Sequence, residues 1–148
     1  MKLLFVLAIA LATCIANAQD YPDPKITPGV TRVVSKKILC THGSTKDARL
    51  VSAKTKTEVF KRYGFIKGKF KPGDYEIDHF ISLELGGAND INNLWPQPFH
   101  GTHTARMKDV VETNLHRRIC KGLITVEDAQ NIIRTDWVAE YKRIKGEK

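Results

Sequence analysis

The chain opens on a short basic start at Lys2, an apolar run from Leu3 to about Ala12, and small residues at Ala16 and Ala18. That order predicts a secretory signal peptide over residues 1–18, cut before Gln19 at an A-x-A-type site. The run is shorter than the roughly 18 apolar residues a membrane span needs, and no later segment reaches that length. The competing reading, a lipoprotein signal ending at Cys14, is weakened by Thr13, which is bulky for the position before a lipidated Cys. From Gln19 the apolar pattern gives way to QDYPDPKITPGV, with three prolines and a Pro-Gly pair. Residues 19–29 therefore read as an extended arm, and 30–148 as one domain.

Within that domain the pattern alternates between the two regular periods. Val30–Cys40 is a short apolar segment expected to be partly strand. Ser52–Tyr63 places Val59, Phe60 and Tyr63 at helical spacing, with Gly64 as the C-terminal cap. Phe65–Asp74 carries Gly68, Pro72 and Gly73 among lysines and reads as a basic loop. Tyr75–Ile81 looks like a strand, Gly86-Gly87 and Asn89-Asp90 like turns, and Leu94-Trp95 like a returning strand. A helix is expected after Gly101, with Thr102 as N-cap. Met107, Val110, Val111, Leu115 and Ile119 share its apolar face, and it ends near Cys120-Lys121-Gly122. Thr125 and Asp128 form a capping box for a last helix burying Ala129, Ile132, Ile133, Trp137 and Tyr141. The pattern predicts a mostly helical α+β domain around one hairpin.

Removing the 18-residue signal from 148 leaves 130 residues, enough for one domain with a single core. It also removes Cys14, so Cys40 and Cys120 remain. In an oxidising compartment a disulfide is the default for such a pair, with two buried free thiols as the alternative. Two lone cysteines that far apart make a poor zinc site. The formal charge of +8 drops to +7 with the loss of Lys2. Basic residues recur along most of the chain, which favours a polyanionic partner, nucleic acid being the commonest. Surface charge for solubility is the plainer explanation of the same balance.

Asp78-His79 is the feature that turns charge into candidate chemistry. Phosphodiester hydrolysis needs a base for water and positive charge near the phosphate oxygens. Histidine titrates close to neutrality and suits the first role; a hard cation with oxygen ligands suits the second. Adjacent strand residues point to opposite faces, so the two side chains converge only where the strand ends or twists. The following helix starts at HGTHTARMKD, offering His100, His103, Arg106 and Lys108. Taken singly these features have plainer readings. His42 and His116 lack supporting spacing and read as surface residues. Glu76 and Glu84 could assist a metal, but exposed strand carboxylates are the plainer reading, and Trp95 and Trp137 read as core.

Taken together, DHFISLELGGANDINNLWPQP resembles the core of the HNH endonucleases, whose hairpin and helix form a ββα-metal motif. Thr27-Pro28-Gly29, Cys40, Tyr63-Gly64, Asn93–Pro98, Lys108-Asp109 and Thr135-Asp136-Trp137 extend the likeness to small exported HNH-like proteins, over roughly Thr27–Tyr141. The resemblance implies His79 as general base, Asp78 as metal ligand and Asn93 as the residue holding the loop around the base. The chain departs from the family at the helix start, where Thr104-Ala105 stands in place of an Asn-Ala pair. His103 is the chosen second ligand, with His100 next.

The implied fold is an α+β domain with an HNH hairpin–helix core embedded in a small, mostly helical domain with a single disulfide. The implied activity is that of an exported endonuclease dependent on Mg²⁺, with Mn²⁺ as the other candidate. It would cleave DNA, or RNA, with little sequence preference. Arg106, Lys108, Lys67 and Lys69 would hold the phosphate backbone. No protein partner is expected, and the chain should be a monomer in the periplasm or outside the cell. The rival from another class is an inactive HNH-like protein that binds nucleic acid or another polyanion. A third possibility, a secreted toxin acting on a protein, lacks any delivery domain.

Overall fold

A computed structural model describes residues 21–42, 45, 50–65 and 73–147. The expected signal segment, residues 1–18, and the expected phosphate contacts Lys67 and Lys69 lie outside the described residues. Among the described residues the architecture is α+β: a two-stranded antiparallel sheet and four α-helices, closed by one disulfide. Among the described residues no helix is long and apolar enough to cross a membrane.

The hairpin pairs β1 (Tyr75–His79) with β2 (Leu94–Pro98), putting Asp78 opposite Trp95 and His79 opposite Leu94. The expected strand to Ile81 stops two residues early, and a side chain takes over the pairing. Asn93 is fully buried; its Oδ1 accepts from Ile81 N at 2.9 Å. Its Nδ2 donates to the carbonyls of Ile81 (2.9 Å) and Ala88 (2.8 Å). The amide thus serves Ile81 as a neighbouring strand would, while the chain between them loops out through short 3-10 turns at Leu83–Leu85 and Ile91–Asn93. The Gly-Gly break follows from the same crowding. A Cβ on Gly87 would lie 1.8 Å from the Ile81 carbonyl oxygen, and Gly86 sits at φ 84°, where glycine is favoured.

The four helices are α1 (Lys36–Leu39), α2 (Ala53–Arg62), α3 (Ala105–Cys120) and α4 (Val126–Lys145). Ser35 caps α1, so Val30–Cys40 is not a strand; only Thr31 forms a β-bridge, to Gly87. Ser52 caps α2, as a hydroxyl at that position should. Helix α3 starts two residues later than expected, with Thr104 as N-cap. Thr125 and Asp128 make the reciprocal capping box at the start of α4. That helix breaks its own geometry at Asp136 (φ −165°, ψ 81°). The Asp136 carboxylate accepts from Ala139 N, capping the second half, and also from the Tyr21 hydroxyl. A polar break is thereby satisfied on both sides, and Tyr21 ties the N-terminal arm to α4.

The core joins Phe80, Ile81, Leu85 and Trp95 of the hairpin to Val111, Leu115 and Ile119 of α3 and Ala129, Ile133 and Trp137 of α4. Arg118 of α3 donates to Glu140 of α4 at 2.8 Å beside this contact. The disulfide between Cys40 and Cys120 joins the end of α1 to the end of α3. The arm threads beside the hairpin, where Thr27 donates to the Leu94 carbonyl and accepts from the Tyr63 hydroxyl.

Candidate functional site

Asp78 and His79, the last residues of β1, line one cleft of about 300 Å³. The strand's end resolves the alternation that would otherwise send them to opposite faces. The rest of the lining includes Lys56 from α2, Ser82 and Glu84 from the loop, and Asp109 and Glu112 from α3.

His79 is oriented by a residue the sequence reading missed. Asn89 Nδ2 donates to the Leu50 carbonyl at 3.1 Å, which sets the amide so that its Oδ1 faces His79 Nε2 at 3.1 Å. An amide oxygen only accepts, so Nε2 carries the hydrogen and the basic lone pair of the neutral ring lies on Nδ1. Asn93 acts one layer deeper: it holds the backbone of Ile81, two residues beyond His79, and so fixes the loop that presents Asn89.

Lys108 requires a correction. Expected at the surface as a phosphate contact, it is fully buried. Its ammonium donates to Asp78 Oδ2 and to the His79 carbonyl, each at 2.8 Å, and to Glu112 Oε1. An ammonium has three donors, and all three are spent inside the protein. A lysine so enclosed cannot reach a nucleic-acid backbone.

The electrostatics follow from that arrangement. Burial works against the Lys108 charge, but Asp78 and Glu112 outweigh it and hold the ammonium above its ordinary pKa. Burial pushes Glu112 up to about 8, against the opposing pull of Lys108. Burial also raises Asp109, reinforced by the Asp78 charge, and raises Glu76, reinforced by Asp78 and Asp109. The cleft thus holds more negative charge than it can comfortably solvate.

The other candidates are dispersed. His103 stands outside the cleft lining, half-buried, with its ring edge-on to Trp137 at 6.1 Å between centroids. His100 and Arg106 are exposed. His116 is half-buried rather than at the surface, and its Nε2 bonds the Leu39 carbonyl at 3.0 Å. With Cys40 and Cys120 it brings three donor atoms within 4.8 Å of one another. Two of them are joined as a disulfide, which leaves no thiolate to bind a metal.

The carboxylates of the Asp78 cleft, in contrast, are the donor type a hard divalent cation takes, and they already hold a cationic group. Of the cleft acids, Asp109 and Glu112 were missed. The spacing of Lys108 to Glu112, i to i+4 on one helix face, was the readable sign that they pair. Compared with protein-family models, curated proteins and solved structures, the chain matches none.

Proposed function

We propose that the protein is an exported, metal-dependent endonuclease that hydrolyses phosphodiester bonds of DNA, or of RNA, with little sequence preference. The observation that carries this reading is the pairing of an oriented imidazole with an acidic, oxygen-lined cleft at the end of a hairpin. His79, held by Asn89 through Nε2–H, takes a proton from the attacking water at Nδ1. A phosphodiester approaching Asp78, Glu84 and Asp109 meets like charge, which a bound cation would offset. Asp78 would hold that cation with water as its other ligands; bound there, Mg²⁺ or Mn²⁺ would supply neutralising charge to the phosphate oxygens. Lys56 at the cleft wall and exposed Arg106 are the described cations that would hold the flanking backbone. The disulfide supports the exported setting, since such bonds persist where the environment is oxidising.

A second reading, binding of a polyanion without turnover, is favoured by the ion pair that occupies Asp78. Supercoiled plasmid incubated with the mature protein separates the two. Nicked and linear products in Mg²⁺ or Mn²⁺, absent with EDTA, support the enzyme. Retarded but intact plasmid in every metal supports the binding protein.

A further inference from the structure

We propose that Lys108 is the resident cation of the Asp78 site, and that a hard divalent cation reaches that carboxylate only in competition with the Lys108 ammonium. The inference rests on the reading that the cleft takes such a cation, and it adds a device that sets the affinity. Three oxygens surround the ammonium: Asp78 Oδ2, the His79 carbonyl and Glu112 Oε1. They come from two elements, the end of β1 and the second turn of α3. An ammonium and a hard metal ion seek the same oxygens, so whichever is bound weakens the other.

The geometry makes the competition one-sided at Asp78. That carboxylate keeps 30% of its surface open, whereas the Lys108 side chain is 1% exposed. An ion arriving from the cleft therefore meets Asp78 first, with the ammonium behind it. Glu112 and the His79 carbonyl can retain the ammonium when the Asp78 bond is given up. Lys108 has a fallback and Asp78 has a choice. A role for Lys108 in merely positioning Asp78 makes the opposite forecast, because losing the clamp would then weaken metal binding.

The sign of one change decides between them. Mn²⁺ binding to the mature protein, without nucleic acid, is measured by calorimetry for wild type, Lys108→Met and Lys108→Met/Asp78→Asn. Competition predicts that Lys108→Met binds Mn²⁺ at least about tenfold tighter, as removal of a like charge a few ångströms away should. The double variant should lose that gain. Equal or weaker binding by a Lys108→Met protein with native circular dichroism overturns the proposal, as does no Mn²⁺ binding by either protein.

Should Lys108→Met fail to fold, wild type decides through the ¹⁵N signal of the buried ammonium during a Mg²⁺ titration. A saturable shift supports competition, and no shift overturns it. Plasmid cleavage without tight Mn²⁺ sites would defeat this inference and leave the endonuclease reading standing. Tightened Mn²⁺ binding without cleavage would do the reverse.

Discussion

Asn93 shows how much of the site depends on one amide. Its side chain completes the pairing of Ile81 and holds the Ala88 carbonyl, so truncation strands buried backbone groups with no water to replace it. Asn93→Ala should cost about 3 kcal/mol in urea unfolding. A loss under about 1 kcal/mol would mean that the loop has another anchor. Gly-Gly and Asn-Leu were legible in the sequence because only glycine tolerates the Ile81 carbonyl at that distance and only a side-chain amide offers an acceptor oxygen beside two N–H donors. Lys108 was illegible for the opposite reason. A lysine is read as solvated by default, and only its three acceptors, gathered from β1 and α3, show otherwise.

Helix α3 is the element on which core and site meet. Val111, Leu115 and Ile119 face the core as their spacing forecasts, and the final helix follows its capping box. The first turns of α3 escaped the apolar period because Lys108 and Glu112 occupy buried positions there. A buried acid on a helix leaves a signature in the pH dependence of stability. Between the ordinary Glu value of 4.5 and the raised value of about 8, folded Glu112 keeps a proton that the unfolded chain has released. Its contribution is therefore present below about pH 4.5 and lost as pH rises towards 8. Glu76 and Asp109, also raised, act with the same sign. Asp128, Asp136 and Glu140, all lowered by their hydrogen bonds, act with the opposite sign in more acid solution. In metal-free buffer the melting temperature should fall from pH 5 to 8.5, and Glu112→Gln should flatten that slope. An unchanged slope in the variant would show that Glu112 ionises normally.

For the molecule as a whole, the disulfide is the covalent link between distant parts of the chain, spanning 80 residues from α1 to α3. Chain entropy assigns such a link about 4 kcal/mol, so Cys40→Ala/Cys120→Ala should unfold at markedly lower urea. A variant within about 1 kcal/mol of wild type would show that the ends of α1 and α3 stay together unaided. The α+β class and the hairpin were visible in the sequence because periodicity acts locally, and the link because Cys40 and Cys120 are the pair left once Cys14 is assigned to the expected signal segment. Which acids line the cleft was not, because α3 brings Asp109 and Glu112 to Asp78 from a distant part of the chain. Hydrolysis at the proposed His79 centre is read out by the rate of plasmid nicking. In saturating Mn²⁺, His79→Ala should nick supercoiled plasmid at least about 100-fold more slowly than wild type, as loss of a general base demands. An equal rate from a folded His79→Ala protein, or no nicking by wild type in any metal, would contradict it.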